Sequence, residues 1–335
     1  MLRIAINGYG RIGRAIVRAL FQKGLSERIQ IVAINDLGSH ATLAHLTRFD
    51  STFGRFPGEV RLDGEYLQVG GQRVRLLQEP DPQRLPWAEL GVDLVLECSG
   101  KFKKHEQAEQ HLAAGAVRVL LSHPLESADL TVVYGVNHQQ LGAAQRIVSN
   151  GSCTTNCLAP LAKALHESVG IRQGLINTVH AYTNDQNLLD QNHKDLYRAR
   201  AAALSIIPTS TGAAKTIGLV LPALEGRLDG LAVRVPTPTV SLLDLTFTAE
   251  RPTSREQINA ALEAASAQMP AGVMSCNSLP LVSSDFTGDP ASCIVDLTQT
   301  RVQGELVKVL AWYDNEWAFS ERMLDVALYW QSCQG

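Results

Sequence analysis

The run Gly8-Tyr9-Gly10-Arg11-Ile12-Gly13 constrains this chain of 335 residues more than any other feature. It directly follows an apolar segment at 2–6 and opens a stretch of helical periodicity over 14–23. A G-x-G-x-x-G pattern is weak alone, but between a strand and a helix it reads as a dinucleotide-binding turn. Gly8 permits the tight turn, Gly10 lets backbone approach a pyrophosphate, and Gly13 lets helix and strand pack closely. The first helical turn, with Arg11 and Ile12, then offers N–H groups and a positive dipole end to phosphate oxygens. A second strand at 29–34 runs into Asn35-Asp36. A carboxylate about 20 residues beyond the glycines accepts hydrogen bonds from the adenine ribose hydroxyls. It also repels a 2′-phosphate, so Asp36 favours NAD over NADP. The competing reading is an unrelated glycine turn with Asp36 as a helix cap. The ordered succession of strand, glycines, helix, strand and acid argues against it.

The rest of the first half continues the alternation. Apolar runs at 94–96, 117–121 and 147–148 read as buried strands, and 105–114 reads as a helix. Such alternation predicts a parallel sheet with helices on both faces. Residues 59–77 alternate apolar and polar around Asp63-Gly64 and Gly70-Gly71, which predicts inserted antiparallel hairpins. After Cys153 the character changes. A helix from about 154 to 168 is followed by strand-like segments at 174–182, 231–236, 241–250, 293–296 and 306–313, with a helix at 254–267. The expected fold is α/β. A Rossmann-type NAD(P)-binding domain with a parallel sheet spans 1–152. An α+β catalytic domain with a mostly antiparallel sheet spans 153–318, and a C-terminal helix at 319–335 packs back on the first domain.

Composition excludes several classes. Net charge is −3, and the longest basic cluster, Lys101 to Lys104, is interrupted by Phe102. Nothing resembles the basic stripe of a nucleic-acid binder, so no nucleic-acid partner is expected. No apolar run approaches membrane-spanning length, so no membrane partner is expected. The six cysteines are irregularly spaced, and the chain enters a strand almost at its first residue. Both features suggest a reducing cytoplasm and no secretory segment.

Ser152-Cys153-Thr154-Thr155-Asn156-Cys157 follows a turn-like Ser149-Asn150-Gly151 and precedes a helical run. A cysteine at a helix N-terminus has its thiolate stabilised by the dipole and the first N–H groups, and the same groups can cradle an oxyanion. On sequence context alone, a small capping residue in the core remains the alternative reading of Cys153. Cys157 has no matching second pair of ligands, so no metal is expected. His180, alone on a strand, reads as either a general base or a satisfied core histidine.

The motif at 152–157 resembles the active-site signature of the glyceraldehyde-3-phosphate dehydrogenase family. The likeness extends through His180-Ala181-Tyr182-Thr183-Asn184-Asp185-Gln186, Arg198-Ala199-Arg200, Pro208-Thr209-Ser210-Thr211-Gly212, Arg234-Val235-Pro236-Thr237 and Trp312-Tyr313-Asp314-Asn315-Glu316-Trp317. The resemblance implies that Cys153 adds to an aldehyde, with His180 as general base whose cationic form also lowers the thiol pKa. It implies a substrate-phosphate site with Thr183 and Arg234. It implies a site for attacking phosphate with Ser152, Thr154, Thr211 and Gly212, and Arg198 near both. Cofactor contacts would come from Gly10, Arg11, Ile12, Asp36, Ser122 and Asn315, the last orienting the nicotinamide carboxamide. Residues 181–207 resemble the family's S-shaped interface loop, which implies a homotetramer.

Some segments depart from the pattern. Ser122-His123-Pro124, Leu85-Pro86-Trp87 and Val133-Tyr134-Gly135-Val136-Asn137 are similar to the sister family, erythrose-4-phosphate dehydrogenase. That gives an alternative product, 4-phosphoerythronate. The runs at 180–186 and 209–215 follow the triose pattern, and they form the implied phosphate sites. Gln191-Asn192 stands where many NAD-specific members carry Leu-Pro, which leaves NADP as a second cofactor. A semialdehyde dehydrogenase would need a carboxylate site in place of paired phosphate sites. A non-catalytic cofactor-binding regulator would have no use for Cys153, His180, Thr183 and Arg234 together.

Overall fold

In the computed structural model, which describes residues 1–333, the chain falls into two compact units. One holds 1–132, 138–151 and the chain from Ser320 onward; the other holds 133–137 and 152–319.

In the first unit the apolar runs become β1 (Leu2–Asn7), β2 (Ile29–Asn35), β8 (Leu94–Glu97), β9 (Arg118–Leu121) and β11 (Ile147–Ser149), and a short β10 (Leu130–Thr131) that the sequence did not indicate joins them. Ile4, Ala5 and Ile6 are wholly buried, as strands covered on both faces must be. Helices α1 (Arg11–Gln22), α2 (His40–Arg48) and α3 (His105–Ala113) lie between them in sequence. A small hairpin, β3 (Phe49–Asp50) with β4 (Gly54–Arg55), follows α2. The expected hairpins are β5 (Val60–Asp63), β6 (Tyr66–Val69) and β7 (Gln72–Leu77), with β7 running parallel to β2. The nine-stranded order is β10-β11-β9-β8-β1-β2-β7-β6-β5. β1 is flanked in parallel by β2 on one side and β8 on the other. That switch point is where open α/β sheets bind ligands, outside the strand carboxyl ends.

The second unit contains α4 (Cys153–Val169), β12 (Ile171–Ala181), β13 (Ile207–Ser210), α5 (Ala213–Val220), β14 (Leu228–Val235) and β15 (Ser241–Ala249). It continues with α6 (Arg255–Gln268), β16 (Met274–Asn277), β17 (Cys293–Asp296), β18 (Arg301–Gln303), β19 (Leu306–Tyr313) and the start of α7 (Trp317–Ser332). The sheet order is β13-β14-β12-β15-β19-β17-β16, with β18 on β19. The β12–β14 and β16–β17 pairs are parallel and the others antiparallel. Leu243, Leu245, Phe247 and Ala249 alternate inward along β15 and pack against α4, with Leu158, Leu161 and Leu165 in the same core. Val133 and Val136 belong to this core too.

Beyond Ser320, α7 belongs with the first unit. Arg118 Nη1 donates to Trp330 O at 2.9 Å, and Lys23 Nζ pairs with Glu321 at 2.5 Å. The end of the expected 319–335 helix, Gln334 and Gly335, lies outside the described residues.

Candidate active site

The chemical candidates of the second unit gather because strands end in register. His180 on β12 lies opposite Arg234 on β14, and Ser241 on β15 lies opposite Tyr313 on β19. Ala181 N donates to Ser241 Oγ at 3.1 Å and joins the two halves of this row. Side chains two apart share a sheet face, so Thr178 points the same way as His180. The Tyr313 hydroxyl reaches Thr178 Oγ1 at 2.7 Å and Thr154 Oγ1 of α4 at 2.9 Å. The amino end of α4 is thereby held at this end of the sheet, with Cys153 Sγ 3.5 Å from His180 Nε2.

Ser152 is the N-cap of α4, and its Oγ accepts the Thr155 N–H at 3.0 Å. Cys153 is the first helical residue, one earlier than the periodicity indicates, and keeps partial exposure. Burial pushes its thiol above the usual range, while the Arg234 charge and hydrogen bonds from Thr154 pull the other way. Burial, and then the Arg234 charge, lower His180 to about 3. Its ring is therefore neutral at pH 7. A cationic His180 beside Cys153 therefore needs the thiolate as its counter-charge. A second cation next to Arg234 in a buried pocket is disfavoured, and the positive charge near Sγ is the guanidinium.

His180 Nδ1 lies 2.7 Å from both Ala181 O and Arg234 Nη1. Arginine only donates and a carbonyl only accepts, so the two contacts select different tautomers. Nδ1–H toward Ala181 O leaves Nε2 bare and basic toward Sγ. A bare Nδ1 accepting from Arg234 puts the proton on Nε2, which can then donate to a thiolate. Arg234 Nη1 also donates to Ala181 O at 2.9 Å, so the guanidinium stays anchored in either state.

Arg198 Nε donates to Thr209 Oγ1 at 2.8 Å, and its Nη1 pairs with Asp185. Its charge acts on both His180 and Arg234. Thr183 Oγ1 accepts the Asp185 N–H at 3.4 Å. Thr211 Oγ1 accepts the Ala213 N–H at 3.3 Å, and Gly212 is the N-cap of α5. A Cβ at Gly212 would meet nothing within 4 Å, so the approach to its backbone is open. Thr183, Thr211 and Gly212 make no hydrogen bond to Cys153, His180 or Arg234 among the described residues. Asn315 is buried, and its Oδ1 accepts the Ser241 hydroxyl at 3.0 Å, which leaves the amide nitrogen to donate elsewhere.

The first unit has a cleft of about 260 Å³ lined by Asn7, Gly8, Gly10, Asp36, Ser99 and Phe102 among others. Gly8 has φ +92°, and a Cβ there would lie 2.5 Å from Ser99 N; at Gly10 it would meet nothing within 4 Å. Asp36 is fixed by accepting the Tyr9 and Gly38 N–H groups, each at 2.8 Å. The Arg11 side chain pairs with Asp50 and lies over the Phe53 ring, so the contribution of Arg11 and Ile12 is the backbone of the first helical turn. Burial pushes the Cys98 thiol far up, with the Ser122 hydroxyl acting against it. An open glycine, a helix N-terminus and a fixed carboxylate fit a dinucleotide.

Sequence reasoning did not single out Tyr313, Thr178 or Ser241. Each looks like an ordinary strand residue, and only cross-strand register reveals its contacts.

Comparison with known proteins agrees with this geometry. The family model described as glyceraldehyde 3-phosphate dehydrogenase, NAD binding domain, matches residues 2–105, and that described as its C-terminal domain matches 152–315. A glyceraldehyde-3-phosphate dehydrogenase of Pseudomonas aeruginosa is 57% identical over 327 residues, covering 98% of this chain and 97% of the relative. The chromosomal glyceraldehyde-3-phosphate dehydrogenase of Cupriavidus necator is 56% identical over 328 residues, 98% of each chain. The protein of that name from Xanthobacter flavus is also 56% identical over 328 residues, 98% of each.

Proposed function

The chain belongs to the glyceraldehyde-3-phosphate dehydrogenase family, and we propose that it oxidises D-glyceraldehyde 3-phosphate with NAD and inorganic phosphate to 1,3-bisphosphoglycerate. One observation carries the reading: Cys153 Sγ stands at a helix N-terminus, 3.5 Å from the Nε2 of a neutral His180. The relatives carry the triose name, which favours that substrate over erythrose 4-phosphate.

His180, with Nδ1–H on Ala181 O, takes the thiol proton as Sγ adds to the aldehyde carbon. The α4 N-terminus stabilises the oxyanion, which His180 protonates to complete a thiohemiacetal. Bound NAD supplies the acceptor for the hydride that leaves this carbon. His180 takes the hydroxyl proton back, and a thioester remains on Cys153. A phosphate oxygen attacks the thioester carbonyl and expels the thiolate, which Nε2–H and the Arg234 charge then stabilise. A positioned base of this kind contributes roughly 10²–10⁴-fold to rate. Thr183 and Arg234 hold the substrate phosphate. Ser152, Thr154, Thr211 and Gly212 hold the attacking one, with Arg198 close to both; hydroxyls and an open glycine N–H suit a compact tetrahedral anion. In the first unit Gly10, Arg11, Ile12, Asp36 and Ser122 serve the cofactor, and Asn315 presents its amide nitrogen to the nicotinamide carboxamide. Asp36 makes NAD the main cofactor, and the polar Gln191-Asn192 leaves room for NADP.

A homotetramer completes the reading. Leu188, Leu189, Leu196, Tyr197, Leu204 and Ile206 are all strongly exposed within 181–207, and a cluster of large apolar side chains marks an interaction surface. No helix is long and apolar enough to cross a membrane among the described residues. The enzyme's place is the cytoplasm, in glycolysis or gluconeogenesis.

The test is NADH formation from glyceraldehyde 3-phosphate and from erythrose 4-phosphate, each with and without inorganic phosphate. Fast, phosphate-dependent turnover of the triose supports the reading. Preference for the tetrose without a need for phosphate overturns it in favour of the sister reaction.

A further inference from the structure

Two wholly buried ionisable side chains of the first unit have no part in the chemistry above: Glu97 at the end of β8 and His111 in α3. Glu97 Oε1 accepts the Ser99 N–H at 2.8 Å and the Ser99 hydroxyl at 2.5 Å. Its Oε2 accepts Asn7 Nδ2 at 2.6 Å and meets His111 Nε2 at 3.0 Å. The buried Trp87 fixes the histidine tautomer. Its indole Nε1–H, which can only donate, points at His111 Nδ1 from 3.1 Å. Nδ1 is therefore bare, and Nε2 carries the proton that Glu97 accepts. His111 is neutral and Glu97 is a buried anion held by four donors. Burial alone would raise the Glu97 carboxyl, and the hydrogen bonds from His111, Ser99 and Asn7 act against it.

What these two groups touch is the wall of the cleft. Asn7, Ser99 and Phe102 all line it. Asn7 and Ser99 are bound to Glu97, and the Phe102 ring stacks on His111 with centroids 5.2 Å apart. Asn7 Oδ1 passes the network on by accepting Asn35 Nδ2 at 2.8 Å; Asn35, also in the lining, exchanges hydrogen bonds with the backbone of Glu79. The chain of contacts thus runs beneath the carboxyl ends of β8, β1 and β2.

We propose that Glu97 and His111 are positioning residues for cofactor binding: a buried anion and a tautomer-locked imidazole that set the cleft wall without touching the nucleotide. The inference rests on the reading of this cleft as the NAD site. Neither oxygen of Glu97 can be replaced by an amide nitrogen without facing donors, because each already accepts at least two. Glutamine at 97 therefore forces at least one cleft residue to move.

The test is binding of NAD and of ADP-ribose, measured by calorimetry on the full chain. Glu97→Gln and His111→Leu should each weaken both ligands about 10-fold, the scale of one buried hydrogen bond to a charged group. His111→Gln retains a donor toward Glu97 and should bind clearly more tightly than His111→Leu. The rate of Cys153 alkylation without nucleotide reports on the second unit and should be unchanged in all three. Wild-type affinity in both Glu97→Gln and His111→Leu overturns the proposal. So does equal loss in the leucine and glutamine variants at 111, a comparison that also decides the matter should Glu97→Gln fail to fold. Asp36→Ala separates the two levels. If it leaves NAD binding unchanged, the reading of the cleft falls and this inference with it. If it weakens NAD while neither Glu97→Gln nor His111→Leu does, this inference alone falls.

Discussion

Asp36→Asn removes one negative charge from the cleft rim at almost constant volume, and its effect on cofactor choice follows from where that carboxylate is held. Both oxygens are fixed by backbone N–H groups, from Tyr9 and Gly38, so the charge cannot swing away from an approaching 2′-phosphate. Like unit charges about 5 Å apart repel by roughly 3 kcal/mol at an effective dielectric of about 20. Asp36 is half-exposed, and screening by solvent and salt reduces this to about 1–2 kcal/mol. That is a change of about 5–30-fold in the ratio of kcat/KM for NAD to kcat/KM for NADP. Asparagine also confronts a backbone N–H with its own NH₂ group, so KM for NAD should rise as well; the ratio isolates the charge. Steady-state kinetics with both cofactors at low ionic strength give the number. An unchanged ratio would mean that Asp36 does not face the ribose.

Other expectations follow from the second unit. Tyr313→Phe deletes the hydroxyl that joins Thr154 to Thr178 and should cost about 1–3 kcal/mol of stability in urea unfolding, with a fall in kcat as Cys153 loses its register to His180. His180→Asn cannot act as the base and should lower kcat about 10²–10⁴-fold while NAD affinity is unchanged. His180 also has a pH signature. Its folded pKa, about 3, lies below the unfolded value near 6.5, so the unfolded chain binds the extra proton between those limits. Wild-type stability should be full above pH 6.5 and fall on acidification toward pH 3, by up to about 1.4 kcal/mol per pH unit, and His180→Asn should flatten that slope in acid-unfolding curves. His123 Nε2–H donates to Phe102 O at 2.6 Å, so His123→Ala should loosen a cleft-lining residue and raise KM for NAD several-fold, read by titration of initial rates.

What could be read in the sequence was local. Gly8 to Gly13 between an apolar strand and a helix located the nucleotide turn, and Cys153 before a helical run located the nucleophile. Helix α2, short and weakly patterned, gave no signal. Helix α5 carries Gly218 within it, and β13 carries Pro208 on an edge strand, so composition argued against elements that neighbouring packing supports. The row Arg234–His180–Ser241–Tyr313 was invisible, because strand alternation does not say which residues stand opposite across a sheet. The setting of His180 was hidden for the same reason: its register partner, Arg234, is 54 residues away. Glu97 meets His111 14 residues on and Asn7 90 residues back, contacts that no local pattern reveals.

The most direct single measurement is the fate of Cys153 in one turnover. Enzyme, NAD and glyceraldehyde 3-phosphate are mixed without phosphate, quenched in acid and mapped by peptide mass. The peptide containing Cys153 should carry one acyl group, and inorganic phosphate added before the quench should remove it far faster than water does. An unmodified Cys153, an acyl group on another cysteine, or discharge by water as fast as by phosphate would contradict the phosphorylating mechanism at Cys153.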